Sequence, residues 1–133
     1  MEDYKTIALD FLRLLGKCSA DLMDIVTDDF KWVVEGGTPA LCPLKKVKDR
    51  KKTEESLIGL KSLLPDLHFD VVSVTCEENR VAVEARSVST VTNNNQHSQI
   101  YSNSYFILFF FRDDKIYEIH EYCDTYYANA VLS

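Results

Sequence analysis

The chain has no long apolar run, no paired cysteines and no excess of positive charge. Its longest uninterrupted apolar stretch runs from Tyr105 to Phe111, seven residues. A helical membrane span needs about 20, so no membrane is expected as a partner. The acidic start, Met1-Glu2-Asp3-Tyr4, holds no apolar segment of signal-peptide length, and a secretory leader is not expected. The four cysteines, Cys18, Cys42, Cys76 and Cys123, form no CxxC clip, and His68, His97 and His120 are equally scattered. That spacing supports neither a zinc site nor any other metal, and no cofactor is expected. Without a leader the thiols read as reduced and the location as cytoplasmic. Lysine and arginine total 15 against 21 acidic residues, a net charge of -6 with a pI near 5.0. A chain this acidic repels phosphate backbones, so nucleic acid is not an expected partner. No repeat or interdomain linker is visible. The 133 residues suffice for one domain and not for two, so a single domain over 1–133 is expected.

What is present is ordinary globular composition, 46% hydrophobic and 27% charged. Tyr4, Ile7, Ala8, Phe11, Leu14 and Leu15 recur at helical spacing. Asp3 is placed to cap that helix and Gly16 to stop it. A second short helix is expected from Ser19, carrying Leu22, Ile25 and Val26 and forming a helical hairpin with the first. Phe30 to Val34 reads as a strand ended by Gly36-Gly37. Thr38 to Lys52 reads as irregular, with Pro39, Pro43 and a basic run. A third helix follows, capped by Thr53 or starting a few residues earlier, with Leu57, Leu60 and Leu64 on one face and Pro65 as its stop. Beyond Pro65 the period becomes two. Strands are expected at His68–Cys76, Arg80–Val91, Ile100–Phe111 and Lys115–Cys123, joined by turns at 77–79, 92–97 and 113–114. Asp124 then caps a closing helix that ends near Val131. Helices come early and a meander late, which is an α+β fold.

Strand parity assigns the faces. Val81, Val83, Ala85, Ser87 and Ser89 are small and uncharged and are placed inward, opposite Arg80, Glu84 and Arg86. On the last strand Tyr117, Ile119, Glu121 and Cys123 share the inner face, opposite Ile116, Glu118, His120 and Tyr122. The strand between is apolar on both faces in its second half. A strand apolar on both sides needs cover on both, so a homodimer through the outer sheet face is expected.

In this order the segments Phe30-Lys31-Trp32-Val33-Val34-Glu35-Gly36-Gly37, Leu63-Leu64-Pro65-Asp66-Leu67-His68-Phe69, Arg80-Val81-Ala82-Val83-Glu84, Tyr101-Ser102-Asn103-Ser104-Tyr105, Arg112-Asp113-Asp114-Lys115-Ile116 and Glu121-Tyr122-Cys123-Asp124-Thr125 give the chain a family likeness over nearly its whole length. It resembles the SnoaL-like branch of the nuclear transport factor 2-like superfamily, which includes ketosteroid isomerase, polyketide cyclases and limonene epoxide hydrolase. The resemblance implies a cone-shaped roll, a curved and mostly antiparallel sheet wrapped around helices over a deep apolar pocket, often dimeric through the outer sheet face. It also implies a catalytic carboxylate on the last strand, at the position of Glu121. The Arg-x-Asp pair of the epoxide hydrolases falls on Ala85 and Ser87 and is absent. Their water-holding tyrosine and asparagine fall on Trp32 and Val34. The isomerase pair of oxyanion donors is not visible either.

Glu121, between inward Ile119 and Cys123, is the candidate acid or base, because a carboxyl deprived of water gains proton affinity. Trp32, Val34, Leu57, Leu60, Ala85, Ser87, Asn103, Tyr105 and Cys123 are the ligand-contact candidates, with Asn103 and Tyr105 the polar groups that orient a substrate. Against each stands a plainer role. Asn103 and Tyr105 can satisfy one another and Glu121, and a buried Cys123 thiol is usually inert. Parity turns His120 away from the pocket, and capping accounts for Asp124. The basic run from Lys45 to Lys52 reads as a solvated loop, since no aromatics interleave it for base stacking. Two functions remain open. One is binding of a small hydrophobic molecule with a polar handle, with cofactor-free isomerisation, cyclisation or hydration. The other is a noncatalytic protein-interaction module, which a pocket filled by Leu57, Leu64, Trp32 and Tyr105 would favour.

Overall fold

A computed structural model describes residues 3–36, 46–92 and 98–132. The first helix, α1 (Tyr4–Gly16), begins where the Asp3 carboxylate accepts the Lys5 N–H, and it buries Ala8, Phe11, Leu12, Leu14 and Leu15 along one stripe. Its last residue is Gly16, where the reason for glycine is steric. A Cβ there would lie 2.7 Å from the Leu67 carbonyl oxygen, so the helix end and the chain after Pro65 are in direct backbone contact. Residues 20–25 form a short 3-10 helix, Ala20–Ile25, capped by Ser19. This corrects the expected helical hairpin. Cys18 turns the chain at φ 51, and β-branched Val26 already belongs to the next strand, so only six residues are left for a helical segment.

The strands are β1 (Val26–Val34), β2 (Lys46–Asp49), β3 (His68–Glu77), β4 (Arg80–Thr92), β5 (Ser98–Tyr101), β6 (Ser104–Arg112) and β7 (Lys115–Cys123); α2 (Arg50–Leu63) follows β2 and α3 (Thr125–Leu132) closes the chain. The sheet order is β2-β1-β7-β6-β4-β3, with β5 also on β4. Among the described residues only β1 with β7 is parallel; every other pair is antiparallel. This is the α+β arrangement, a mixed seven-stranded sheet with helices against one face. Among the described residues no helix is long and apolar enough to cross a membrane.

Three differences from the sequence reading bear on the site. First, part of the supposed irregular basic segment is strand and helix: β2 pairs with β1, placing Lys48 opposite Trp32. Asp49 rather than Thr53 caps α2, accepting the Lys52 N–H, while the buried Thr53 hydroxyl bonds back to the Asp49 carbonyl. Second, the expected strand from Ile100 to Phe111 breaks at Ser102-Asn103, giving β5 and β6. Third, a bulge between β6 and β7 pairs Phe110 with Glu118 and Phe111 with Ile116. Tyr117 is the extra residue. It lies beside Phe110 on the outer face, 6.2 Å between ring centroids, and Ile116 turns inward to full burial. Simple alternation had placed both the other way, because a bulge shifts parity by one. The expected turn residues 93–97 and the whole of 37–45, with Gly37, Cys42 and His97, lie outside the described residues.

The inner face of β4 follows the expected parity: Val81, Val83, Ala85, Ser87 and Ser89 are all buried. With Phe30, Ile107, Phe109 and Ile119, the first three form the core beneath α1. Phe11 is its hub, with its ring centroid 5.5 Å from those of both Trp32 and Phe109, edge to face. Geometry of this kind adds to the area buried.

Candidate functional site

Toward α2 the core opens. A cavity of about 300 Å³ lies between the helix and the inner faces of β1, β2, β6 and β7. Leu15, Leu60, Leu63, Leu64, Leu67, Phe69 and Ile107 form its apolar wall. Its polar groups come from Glu121, Trp32, Lys48, Tyr105 and Ser56. That composition, mostly apolar with a few convergent polar groups, is what a small-molecule site requires.

Each polar group is set by its strand. On β7, Glu121 stands beside Ile107 of β6 on one side and Val34 of β1 on the other. The indole N–H of Trp32 donates to Glu121 Oε1 at 2.9 Å. Lys48 Nζ lies 4.6 Å from the centroid of the same indole, a cation–π distance. The tryptophan thus holds a carboxylate by its edge and an ammonium by its face. Burial pushes the Glu121 carboxyl above the usual glutamate range, against opposing pulls from the Lys48 charge and the Trp32 hydrogen bond.

Tyr105 is held well above its usual value, first by burial and then by the nearby negative charge of Glu121. It is therefore a neutral phenol at physiological pH. Its oxygen is 3.3 Å from the Tyr101 hydroxyl, which in turn accepts from Asn103 Nδ2 at 2.7 Å. A chain of polar groups runs from the strand break to the cavity.

Of the ligand-contact candidates, Trp32, Leu60 and Tyr105 line this cavity together with Glu121. The other six do not. Leu57 is spent in the core, and Val34 packs against the edge of that core. Ala85 and Cys123 border a shallower hollow beside Val72, Phe106 and Tyr122. Ser87 is fully buried and accepts the Asn103 backbone N–H. Asn103 is a fastening residue: Nδ2 donates to the Tyr101 hydroxyl and the Asp124 carbonyl, and Oδ1 accepts from the Ser104 and Asp124 N–H groups. With its amide fully engaged it closes the strand break onto the end of β7, and it has no capacity left to orient a substrate. His120 pairs with Glu118 at 2.6 Å and is away from the cavity. Asp124 caps α3 through the Tyr127 N–H. Lys48 was the residue the sequence reading missed. The sequence offered no clear signal for it: alternation in Lys46-Val47-Lys48-Asp49 would turn the apolar Val47 inward, yet Val47 is 46% exposed and Lys48 is the residue that lines the cavity.

Among the described residues no group of three or more histidine, cysteine, aspartate or glutamate side chains gathers to hold a metal. The family model of the SnoaL-like domain matches residues 10–119. The chain belongs to the SnoaL-like family. Among solved structures, IdmH from Streptomyces antibioticus, a proposed polyketide cyclase, superposes with a TM-score of 0.81 at 13% identity, covering 97% of each chain. AclR from Streptomyces galilaeus, a proposed hydroxylase, gives 0.77 at 17% identity over 97% of this chain and 83% of its own. A phenazine biosynthesis-related protein from Pseudomonas aeruginosa gives 0.75 at 15% identity over 97% and 86%. At these identities the likeness is one of fold. No curated protein sequence matches the chain.

Proposed function

We propose that this SnoaL-like protein binds a compact, largely apolar molecule carrying a carbonyl or hydroxyl handle, and that Glu121 exchanges a proton with it. One observation carries the reading: the Glu121 carboxyl, fixed at 2.9 Å by the Trp32 N–H, faces an open apolar cavity of about 300 Å³ rather than a filled core. The open space, with Leu57 withdrawn into the core, favours a ligand site over the noncatalytic interaction module. The structural neighbours described as a polyketide cyclase and a hydroxylase lend the reading their chemistry class by analogy.

The proton chemistry follows from the two polar groups. Ionised Glu121 removes a proton from a carbon next to a carbonyl, and the C–H electron pair becomes the enolate. In this reading the neutral hydroxyl of Tyr105, on the same cavity wall, donates to the enolate oxygen. Return of the proton from Glu121 to a different carbon gives isomerisation, and attack of the enolate on a second carbonyl gives cyclisation. No cofactor is required for either.

The test is calorimetric titration of naphthol, an apolar molecule with one hydroxyl, into the wild type and Glu121→Gln. Binding to the wild type with altered affinity in a folded Glu121→Gln supports the assignment. Identical affinity in both removes Glu121 from the site. The same proposal includes a homodimer through the outer sheet face, where Val72, Ile100, Phe106 and Tyr122 are exposed. Light scattering is expected at twice 15.3 kDa, and a monomer contradicts it.

A further inference from the structure

The inward stripe of α2 is polar at its start and leucine after it. Thr53, Ser56, Leu57, Leu60 and Leu64 follow one another at helical spacing. Thr53 and Ser56 both bond back along the helix: the Thr53 hydroxyl donates to the Asp49 carbonyl and the Ser56 hydroxyl to the Thr53 carbonyl, each at 2.8 Å. Such back-bonds slightly weaken and bend a helix, and serine is a poorer helix former than alanine or leucine. For Thr53 the bond is reason enough, because the residue is fully buried and its hydroxyl needs a partner there. Ser56 is not enclosed in that way. It is half-buried and lines the cavity with Leu60, Leu63, Leu64 and Leu67. Among the described residues it is the one polar side chain that α2 brings to that cavity.

We propose that Ser56 is a specificity-determining residue of this cavity and that the molecule bound there carries a second polar handle, a hydroxyl that donates to the Ser56 oxygen. The inference rests on the ligand-site reading above and deepens it by naming a group on the other side of the ligand. The cavity lies between α2 and the sheet, with Glu121 and Tyr105 on the sheet wall and Ser56 on the helix wall. A guest whose first handle meets Glu121 therefore turns its opposite edge to α2. That edge meets leucine everywhere on the helix except at Ser56. The Ser56 hydrogen is engaged by the Thr53 carbonyl, and what the hydroxyl has left is acceptor capacity. It complements a hydrogen-bond donor on the guest. A donor set against the leucines instead would lose its water and gain no partner, so the serine selects where that donor sits. The bond joins two neutral hydroxyls, and it forms with Glu121 in either protonation state. The class of guest is an apolar molecule with polar groups on opposite edges, the one facing α2 a hydroxyl.

The experiment compares naphthol with the naphthalenediols whose hydroxyls lie on opposite rings, and with the monomethyl ethers of those diols, by calorimetry on the wild type, Ser56→Ala and Ser62→Ala. The ether keeps the second oxygen and removes its hydrogen. Ser62 is an exposed serine of the same helix, so its variant repeats the change in helix propensity away from the cavity. The wild type is expected to bind at least one diol about three- to tenfold more tightly than naphthol and than the ether of that diol, the worth of a hydrogen bond between neutral groups. Ser56→Ala is expected to bring that diol down to the affinity of naphthol and to leave naphthol itself unchanged, and Ser62→Ala to keep the preference. Diols that bind no more tightly than naphthol in the wild type, an ether that matches its diol, a preference that survives Ser56→Ala, or one that is lost in Ser62→Ala would each overturn the role of Ser56. The cavity reading would stand in all four cases as long as naphthol binds. Failure of naphthol, diols and ethers alike would overturn both.

Discussion

Replacing Trp32 with phenylalanine separates the two ways in which that residue acts. The ring that remains can still pack edge to face against Phe11, whose centroid is 5.5 Å from the indole. The N–H that reaches Glu121 Oε1 at 2.9 Å is lost. A hydrogen bond to a charged acceptor contributes about 1.5–3 kcal/mol, and one between neutral groups about 0.5–1.5 kcal/mol. The cost of losing it should therefore be larger by about 1–1.5 kcal/mol when Glu121 is ionised than when it is protonated. The sign follows from linkage. Glu121 has a raised pKa in the folded protein, so the folded state holds its proton more tightly than the unfolded chain does. Its contribution is fully present below the ordinary glutamate range and is lost as pH rises through the folded value. Removing the donor weakens the ionised form further, so the variant loses stability over a window that extends to higher pH. Urea unfolding of wild type and Trp32→Phe across that range should show a gap that widens with pH. A gap that is constant with pH would show that the hydrogen bond does not discriminate the two forms of Glu121, and the electrostatic reasoning would fail.

Gly16→Ala should cost about 1–3 kcal/mol in urea unfolding, because its Cβ would meet the rigid Leu67 carbonyl 2.7 Å away; an unchanged midpoint would mean that the helix end shifts freely. Asn103→Ala should cost about 2–4 kcal/mol, since it removes four hydrogen bonds, one of them buried and three partly buried, at about 0.5–1.5 kcal/mol each, and a loss under about 1 kcal/mol, within the worth of one such bond, would contradict the fastening role. Asp66 Oδ1 accepts from the Ser89 hydroxyl, the Thr90 N–H and the Thr90 hydroxyl, which hold its carboxyl down to about 2 from 3.8. Its contribution is present above the unfolded value and disappears as pH falls toward about 2. Acid titration of Asp66→Asn should show a shallower fall in stability over that interval than the wild type, and parallel curves would refute it.

The sequence carried the architecture where one signal dominated a segment. Small uncharged residues at every second position of Arg80–Val91, with Arg80, Glu84 and Arg86 on the alternate face, marked the inner face, and five of five predicted inward residues there are buried. Asp3 and Asp124 cap the helices that they precede. Legibility failed where two signals overlapped. Lys48 belongs to a basic cluster and to a short edge strand on which alternation favours Val47 as the inward residue, yet Val47 is the exposed one. Ile116 and Tyr117 obey a bulge that no residue in the turn announces. Asn103 looked like a substrate-orienting amide because polar residues on an inner face invite that reading; only its hydrogen-bond partners, 21 positions away at Asp124, show that it joins β6 to the end of β7. Glu121 stood out as a lone carboxylate between inward Ile119 and Cys123, open to a structural reading as well as a catalytic one, and the structure places it on the cavity wall. The tryptophan that holds it comes from a strand 89 positions away.

The most direct measurement is a pH titration of the Glu121 carboxyl carbon by NMR in the ligand-free wild type, with Glu121→Gln assigning the resonance. A midpoint above that of an ordinary glutamate is predicted, from its burial against the cavity wall. A midpoint at or below the ordinary value would show that solvent or the Lys48 charge governs the group, and the proposed proton exchange would lose its physical basis.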